Sequence, residues 1–454
     1  MTRTVLDGCA VVTMDDARTE HAAGHVVLAG NRVESVGDGP APADLPDATY
    51  VDARGCLATP GLVNTHHHLY QWLTRGLAVD HTLFQWLTTL YPIWACLDED
   101  TVRTGARGAL SQLALTGCST TMDHHYVFPA DGGDLLGAEV EAARTVGLRF
   151  LATRGSMDLG RSRGGLPPDH VVEEIDAILD ATEAAIDRHH DRSPDAMLRI
   201  GVAPCSPFSV TGELMEEAAD LARDRGVRLH THLAETTDEE DFCREHFGCS
   251  PVEYVERLGW LGEDVWLAHG VHLGDDAIKA LARTGTGVAH CPSSNARLGA
   301  GICRTHDLVD AQVPVGLGVD GAASNEAASL VEEVRHAVLF ARAAGGPQAL
   351  TVRAGLELAT IGGARVLGWD DRIGSLQPGK QADVALWRLD GAAHAGIADP
   401  VAALVLGSPP PLELLLVDGR AVVREGRMVT VDEEGLAHDV RTASATLLER
   451  AEAR

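Results

Sequence analysis

The segment NTHHHLYQ, residues 64–71, contains three adjacent histidines directly after the apolar run ATPGLV. On a β-strand, side chains alternate between the two faces with a period of two. His66 and His68 are therefore predicted to share one face and His67 to occupy the other. Two imidazoles spaced in this way are able to converge on one metal ion, because imidazole is the commonest metal ligand in proteins. The alternative is that they are polar residues at a strand end.

A second group, HTHLAET, contains His230, His232 and Glu235. The two histidines again share a strand face, and Glu235 lies three residues past His232, beyond the expected end of the strand. A carboxyl group in this position reaches an atom held at a metal without being a ligand itself, which is what a proton shuttle requires. The alternative is a surface glutamate in a loop, where most glutamates lie.

Two further segments have polar side chains at the ends of apolar runs. In VWLAHGVH the run ends at His269, and His272 follows in the loop as an expected bystander. In VPVGLGVDGAASN, Asp320 follows a buried run, where a carboxylate is costly unless it meets a cation; capping of the next helix is the alternative. Three histidines and one aspartate form a nitrogen and oxygen ligand set that suits zinc or ferrous iron. Together, these groups predict a catalytic metal site.

The framework for these side chains is expected in residues 59–368. Short apolar segments alternate there with segments of helical periodicity such as ELMEEAADLARDRG. This alternation predicts an α/β fold, a (β/α)8 barrel with its catalytic groups at the carboxyl ends of the strands. A doubly wound parallel sheet gives a similar pattern and is the alternative. The eight strand candidates are GLVNTHHH, CSTTMDHHY, RFLATRG, LRIGVAP, VRLHTHLAE, VWLAHGV, TGVAHCP and VPVGLGVDG.

The two ends of the chain are rich in β-branched residues. Turn pairs such as Asp418-Gly419 join short strand-like runs there, for example within LLLVDGRAVVREGRMV. We therefore expect a composite β-sandwich domain formed by residues 1–58 and 369–454. Residues 59–368 are expected to form a separate catalytic barrel domain.

The composition argues against several classes of function. The chain of 454 residues carries a net charge of −29, so it has no overall attraction for nucleic acid polymers or anionic lipid surfaces. No apolar run approaches the roughly 20 residues of a membrane span, and the N-terminus lacks the apolar region of a signal peptide. The nine cysteines are scattered without a Cys-x-x-Cys pair, which argues against a disulfide framework and a thiolate zinc site. We expect a cytoplasmic protein.

Taken together, the motifs resemble the amidohydrolase superfamily over almost the whole chain. TPGLVNTHHHL is similar to the motif of its first barrel strand, HLAET to its fifth, LAHGVHL to its sixth and GVDGAASN to its eighth. GSLQPGKQADVAL resembles the start of the family's terminal β-sandwich. The HLAET form resembles the mononuclear aminohydrolases, which act on purines, pyrimidines, adenosine-type compounds and triazines. Dinuclear members usually carry a bridging lysine or glutamate on the fourth strand; LRIGVAPCSPF offers neither, which implies one metal ion.

The resemblance implies a role for each candidate residue. Glu235 is implied to be the proton shuttle, His269 to lie beside the nucleophile, and Asp320 to accept a proton from the attacking water. The implied cofactor is one divalent ion, zinc with iron as the alternative, which lowers the pKa of water towards about 7. The implied metal ligands are His66, His68, His232 and Asp320.

Several segments are most similar to the branch of the superfamily that deaminates 8-oxoguanine to urate and ammonia. Gln71 lies three residues past His68, and its amide is able to donate and accept at the amide edge of a purine. Cys205 stands where guanine deaminases have an arginine that meets the base, which disfavours plain guanine. Arg154, at the end of the third strand, and Asn295, after the seventh, are further expected substrate contacts; a surface ion pair is the alternative for Arg154.

Some residues keep two interpretations or none. His124 and His125 are expected to be structural rather than metal ligands. The tryptophans after the first strand either form a lid over a flat ring or belong to the core. Asp158 has no role that its sequence context indicates. The three tryptophans are Trp72, Trp86 and Trp94.

Rival functions differ in what they require. Another deaminase of this kind would act on guanine, isoguanine, cytosine or an s-triazine. A cyclic amidase would normally need the second set of metal ligands, which is missing. An inactive metal-bound scaffold subunit would have no need of Glu235. The family also implies a homo-oligomer that acts on a small heterocycle, with neither nucleic acid nor membrane as a partner.

Overall fold

Nineteen strands and fifteen α-helices are formed by residues 2–453, the part of the chain that the computed structural model describes. The strands are β1 (Arg3–Val12), β2 (Glu20–Ala29), β3 (Arg32–Asp38), β4 (Ala48–Asp52), β5 (Cys56–Pro60), β6 (Leu62–Asn64), β7 (His67–His68), β8 (Cys118–His125), β9 (Arg149–Ser156), β10 (Leu198–Pro204), β11 (Leu229–Leu233), β12 (Val265–His269), β13 (Gly287–His290), β14 (Val315–Leu317), β15 (Asp320–Gly321), β16 (Val384–Arg388), β17 (Leu412–Val417), β18 (Arg420–Arg424) and β19 (Arg427–Met428).

The helices alternate with the strands in the middle of the chain. They are α1 (Leu83–Trp94), α2 (Glu99–Leu115), α3 (Leu135–Val146), α4 (Ile175–His189), α5 (Gly212–Arg225), α6 (Thr237–Phe247), α7 (Pro251–Arg257), α8 (Asp275–Thr284), α9 (Pro292–Arg297), α10 (Thr305–Asp310), α11 (Leu330–Gly345), α12 (Val352–Glu357), α13 (Gly363–Leu367), α14 (Pro400–Leu406) and α15 (Glu433–Glu452). A π-helical turn, Leu358–Gly362, joins α12 to α13, and 3-10 turns span Leu69–Thr74, Arg161–Arg163 and Asp169–Val171.

Eight parallel strands close into a barrel. Their order is β6, β8, β9, β10, β11, β12, β13 and β14, and β14 pairs with β6 through Leu317 and Asn64. All eight coincide with the strand candidates of the sequence, so the predicted (β/α)8 barrel is confirmed. A closed barrel also excludes the doubly wound sheet, which has two open edges.

Helix α5 illustrates how the sequence places the outer layer. The hydroxyl of Thr211 accepts a hydrogen bond from the backbone N–H of Leu214 at the start of the helix, and Gly226 ends it with a φ of 65°. Its apolar residues recur every three to four positions, so one face of the helix packs against the barrel. The buried residues of that face are Leu214, Met215, Ala218, Ala219 and Ala222.

The sequence predicted a composite β-sandwich from the two ends of the chain, and the structure shows that strands from both ends form one nine-stranded sheet. Its order is β19, β18, β17, β16, β5, β1, β2 and β3, with β4 paired to β1. The two ends meet where β16 pairs antiparallel with β5. This sheet has a hydrophobic core of its own, to which Leu6, Val26, Val384 and Leu414 belong.

The last helix packs against the barrel layer. Arg450 of α15 pairs with Asp98 at 2.6 Å, and the hydroxyl of Ser444 donates to the carbonyl of Leu73 at 2.7 Å. The C-terminal 20-residue helix therefore braces the segment that follows the first barrel strand. The division into domains at residues 58 and 369 stays a prediction. None of the helices within residues 2–453 is long and apolar enough to cross a membrane.

Candidate metal centre and adjoining pocket

The three adjacent histidines do not form one strand. β6 ends at Asn64, and His67 and His68 form the separate short strand β7, which pairs with β15. The rings of His66 and His68 still converge, with centroids 4.8 Å apart. The ring of His67 turns back on its own backbone, where Nδ1 accepts a hydrogen bond from the N–H of His68 at 2.8 Å. The predicted division into a pair and a third histidine therefore holds despite the break in the strand.

Three histidines and one aspartate meet at the carboxyl end of the barrel. Nε2 of His68 lies 3.1 Å from Nε2 of His232. Nε2 of His66 and Nε2 of His68 each lie 3.3 Å from Oδ1 of Asp320. All four side chains are buried. The structure thus brings together the four residues that the sequence singled out, which come from the segment after β6 and from β7, β11 and β15.

Hydrogen bonds on the far side of two of the rings determine where the ring protons lie. Nδ1–H of His68 donates to the carbonyl of His124 at 2.7 Å, and Nδ1–H of His232 donates to the carbonyl of Cys205 at 2.6 Å. Burial lowers the pKa of His232 well below its ordinary value, so its imidazole is neutral. The two carbonyl contacts place a donor N–H on Nδ1 of each ring, the arrangement of a histidine that ligates a metal through Nε2. Two Nε2 lone pairs that face each other repel unless a cation lies between them.

The third ring is held in the same way by a histidine that the sequence left without a role. Nδ1–H of His66 donates to Nε2 of His230 at 2.8 Å, and Nδ1–H of His230 donates to the carbonyl of Trp266 at 2.9 Å. Nε2 of His66 is buried and has no hydrogen-bond partner among the described residues. The spacing of His230 and His232 signals a shared face, but the pairing with His66 spans 164 residues.

The carboxylate of Asp320 is ionised in this setting. Burial opposes its charge, and three hydrogen-bond donors from the protein favour the ionised form. The hydroxyl of Ser294 donates to Oδ2 at 2.6 Å, that of Ser324 donates to the same oxygen at 3.2 Å, and the N–H of Gly321 donates to Oδ1 at 2.7 Å. The serines were not predicted; Ser324 lies four residues after Asp320, whereas Ser294 lies in α9, which follows a different barrel strand.

The donor set fits a divalent metal ion. The Nε2 atoms of three buried imidazoles and one carboxylate oxygen lie 3.1 to 3.3 Å from one another in the pairs His68–His232, His66–Asp320 and His68–Asp320. Two overlapping groups have ligand atoms within 4.8 Å of one another. The first is His66, His68, His124 and His232, and the second is His66, His269 and Asp320.

His124, for which the sequence predicted a structural role, lies directly against one of these histidines. Its ring stacks on His232 with centroids 4.6 Å apart. Nε2–H donates to the carbonyl of Ala203 at 2.9 Å, while Nδ1 is buried without a partner. His124 thus supports the barrel wall directly behind the histidines.

An acid and a neutral base lie next to the metal-fitting cluster, which is the group formed by His66, His68, His232 and Asp320. Oε2 of Glu235 lies 3.5 Å from Nε2 of His269. Burial, followed by the charge of Asp320, raises the pKa of Glu235 well above its ordinary value and so favours the protonated carboxyl. Burial lowers the pKa of His269, and its Nδ1–H donates to Oδ1 of Asn295 at 3.0 Å. His269 is therefore neutral, with the Nε2 lone pair facing Glu235.

A small cavity opens beside these groups. Both polar atoms of the Gln71 side-chain amide are buried at its wall without a hydrogen-bond partner among residues 2–453. Cys205 contributes a thiol whose pKa burial raises to about 12, so it stays uncharged. The lining residues are His68, Gln71, Leu83, Trp86, Leu87, Tyr91, Tyr126, Cys205, Ser206, Phe208, His232, Glu235, His269, Leu298, Asp320 and Ser324.

Comparison with known proteins identifies the family. Residues 57–422 match the model of the amidohydrolase family. The chain is 46% identical to the 8-oxoguanine deaminase of Pseudomonas aeruginosa over 94% of this chain and 95% of that one. It is 39% identical to an isoxanthopterin deaminase from an unknown prokaryotic organism, over 93% and 91% of the two chains.

A solved structure is similar to this chain over nearly the whole length of both. The crystal structure of an atrazine chlorohydrolase from Arthrobacter aurescens TC1 complexed with zinc superposes with a TM-score of 0.92 at 33% identity, over 97% of this chain and 100% of that one. The chain belongs to the amidohydrolase family. The predictions of this family and of a hydrolase that acts on C–N bonds are confirmed.

Three backbone positions in the catalytic end of this amidohydrolase adopt a left-handed conformation that disfavours side chains. Ala234 has a φ of 54°, His269 of 77° and Asp320 of 60°. Such positions cost on the order of 1–3 kcal/mol each and are retained where the surroundings fix them. They turn the chain sharply at the ends of β11 and β12 and at β15, which aims the acid, the base and the carboxylate at one point.

Two predicted substrate contacts lie outside the cavity lining of the amidohydrolase. Nη2 of Arg154 donates to both oxygens of Glu173 at 2.7 and 3.0 Å, and its guanidinium lies over the ring of Phe128. Asn295 contacts His269 and is not part of the cavity wall. Arg154 therefore has the ion pair that was its alternative, and Asn295 orients a side chain of the pocket.

The remaining open residues have positions that the sequence did not specify. Trp86 lines the cavity, whereas Trp94 is fully buried in the core, so the lid and core interpretations both hold for part of this segment. His125 contacts Glu139 at 2.7 Å. Asp158 accepts hydrogen bonds from the N–H and the hydroxyl of Thr211 and so braces the start of α5.

Proposed function

We propose that this amidohydrolase catalyses the metal-dependent hydrolytic deamination of 8-oxoguanine, in which 8-oxoguanine and water give urate and ammonia. One observation carries the proposal: the unpartnered amide of Gln71, the protonated carboxyl of Glu235 and the metal-fitting cluster line a single cavity. The 46% identity to a named 8-oxoguanine deaminase supports the choice of substrate.

His66, His68, His232 and Asp320 are proposed as the ligands of one zinc ion. The orientation of the three Nε2 lone pairs and the ionised carboxylate support this set. A bound zinc ion lowers the pKa of a water molecule from about 15.7 towards about 7, which supplies a nucleophile at neutral pH. Ferrous iron accepts the same donors, and elemental analysis of the purified enzyme distinguishes the two metals.

Glu235 is proposed to act as the acid and proton shuttle. Its protonated carboxyl donates to the ring nitrogen beside the amine-bearing carbon, which makes that carbon electrophilic. The amine receives the first proton of the attacking water, which Asp320 has taken up, and the carboxylate of Glu235 takes the second proton from the hydroxyl on the ring carbon as the new carbonyl forms. Ammonia therefore leaves neutral, and Glu235 has its proton back for the next cycle.

Asp320 and His269 are proposed to act on the attacking water. The ionised carboxylate of Asp320 accepts a hydrogen bond from it and draws off its proton. Nε2 of neutral His269 is a second hydrogen-bond acceptor, which orients the water towards the ring carbon. The contact with Asn295 keeps the proton of His269 on Nδ1 at the start of the cycle.

Gln71 and Cys205 are proposed to select the heterocycle. The amide of Gln71 is able to donate and accept at once, which suits the amide edge of an oxopurine. Cys205 offers an uncharged thiol in the wall, so the pocket has no guanidinium fork at this position. Arg154 keeps its predicted role in binding only as a sequence-based expectation.

An ammonia-release assay across aminated heterocycles tests the substrate. The panel contains 8-oxoguanine, guanine, isoguanine, isoxanthopterin, cytosine and an s-triazine. We expect the highest kcat/KM for 8-oxoguanine, with urate as the product. A higher kcat/KM for guanine or isoxanthopterin would refute the substrate and leave the hydrolytic mechanism standing. The expected homo-oligomer is checked by light scattering of the same sample.

A further inference from the structure

The carboxylate of Glu239 contacts the corner formed by Ala234 and Glu235, the two residues that follow β11. Oε1 accepts a hydrogen bond from the N–H of Ala234, and Oε2 accepts one from the N–H of Glu235, both at 2.9 Å. Glu239 is only 1% exposed, although it lies in the first turn of α6. A buried carboxylate is expensive to maintain, so its partners identify what it stabilises.

This contact is not the usual capping arrangement of a helix start. In a capping box, the third residue of the helix bonds to the N–H of the residue that precedes the helix. That residue is Thr236, and its side chain makes no capping bond. Glu239 instead bonds to the two residues before Thr236, which belong to the loop from β11 and not to the helix.

Neither N–H group has another acceptor within residues 2–453. Ala234 has a φ of 54°, so the chain turns sharply where it leaves β11. The backbone carbonyls at this corner have other partners. The carbonyl of Leu233 accepts a hydrogen bond from the N–H of Gly270 at 3.1 Å, and the carbonyl of Ala234 accepts one from the N–H of His272 at 2.9 Å. The corner is thus joined on one side to Glu239 and on the other to the loop that follows His269.

The position of Glu235 depends on this corner. Its side chain contacts Nε2 of His269 at 3.5 Å and makes no closer hydrogen bond within the part of the chain that the structure describes. The backbone therefore sets where the carboxyl lies relative to His269 and the cavity. A displacement of about 1 Å of a reacting group is enough to cost on the order of 10²-fold in rate.

We propose that Glu239 is a positioning residue that holds Glu235 in place for proton transfer by accepting hydrogen bonds from the backbone of Ala234 and Glu235. This inference rests on the proposed role of Glu235 as the acid. Glu239 itself does not line the cavity and touches no reacting atom.

Substitution Glu239→Gln tests the proposal. Glutamine has the same size but only one acceptor oxygen, so at most one of the two N–H groups keeps a partner. We expect kcat to fall about 10- to 100-fold, with KM changed less than about threefold and metal content unchanged. The matched control is Glu240→Gln, the same change on the next residue, whose side chain pairs with Arg244 at the surface; its kcat should stay within about twofold of the wild type.

A double variant separates positioning from a general structural role. If Glu239 acts through Glu235, adding Glu239→Gln to Glu235→Gln should change kcat by less than about twofold, because the acid that it positions is already gone. A further tenfold loss in the double variant would overturn the proposal. So would a single Glu239→Gln variant with kcat within twofold of the wild type.

Amide hydrogen exchange gives a readout that needs no substrate. The peptide that covers residues 233–236 should exchange faster in Glu239→Gln than in the wild type, with the rest of the barrel unchanged. Unchanged exchange in that peptide would overturn the proposal. If Glu239→Gln does not fold, Glu239→Asp, which keeps the charge on a shorter side chain, provides the same comparison. If 8-oxoguanine proves to be the wrong substrate, the kinetic arm uses whichever heterocycle releases ammonia, so the two failures stay distinguishable.

Discussion

The change Glu235→Gln probes the proposed acid without disturbing the metal-fitting cluster. Glutamine is nearly isosteric with glutamate, so the 4% exposed site neither collapses nor overpacks. The backbone contact with Glu239 is unaffected, because it involves the N–H of residue 235 and not its side chain. What is lost is the transferable proton, which the raised pKa of Glu235 favours.

The size of the expected loss follows from that single function. General acid–base catalysis typically contributes 10²- to 10⁴-fold in rate, so kcat should fall by at least about 100-fold, or roughly 2.7 kcal/mol of transition-state stabilisation. KM should change little, since the amide of glutamine keeps the shape of the wall and Gln71 is untouched. Metal content should equal that of the wild type, because Glu235 is not among the residues grouped around a common ligand position.

Two measurements on the same preparation test this expectation. Ammonia release at saturating substrate gives kcat, and elemental analysis gives the metal per chain. Near-normal turnover with full metal would refute the role of Glu235. Loss of metal in parallel with activity would also refute the reasoning, because it would place Glu235 among the ligands.

Three further changes test other parts of the site. His66→Ala and His68→Ala should each lose metal by elemental analysis, whereas His67→Ala should retain it; equal loss in all three would contradict the orientation of the rings. Gln71→Leu should raise KM for the heterocycle by about 10- to 100-fold with metal unchanged, because a buried polar edge of the substrate is left unpaired; an unchanged KM in steady-state kinetics would remove Gln71 from the binding site. Burial raises the pKa of Glu139 from 4.5 to about 8, so its contribution to stability is full below pH 4.5 and is lost as the pH rises through about 8. In denaturant unfolding, the stability advantage of the wild type over Glu139→Gln should therefore shrink across that interval; an advantage that grows with pH would show the opposite protonation.

The barrel was predictable because its evidence is local. Each strand appears as a short apolar run, and each helix between strands shows its own periodicity, cap and terminating glycine, as in α5. The same local spacing predicted that His66 and His68 would point together. That prediction holds although the strand breaks after Asn64, because the short strand β7 pairs with β15 and keeps the two rings on one side.

The prediction was weaker where a side chain depends on a partner far along the chain. The expected contact of Arg154 with the substrate stays a prediction; the sequence did not indicate its ion pair with Glu173, which lies in a different segment of the fold. The contact of Asn295 with the substrate also stays a prediction, and the sequence did not indicate its hydrogen bond with His269. Asp158 had no indicated role until the structure placed it against Thr211. No pattern within one segment reveals such contacts.

The sequence by itself determined the fold, the family and the residue types of the candidate metal site. Strand ends, histidine spacing and turn residues can each be identified within a short contiguous segment. Only the tertiary structure decided which ring nitrogens carry protons, since that depends on the carbonyls of His124 and Cys205 and on the ring of His230, each supplied by another strand. It also decided that the amide of Gln71 is left without a partner in the wall of the cavity, and that Glu239 bonds to the backbone of Glu235. These features arise from the closure of the barrel, which brings the ends of separate strands into one buried volume.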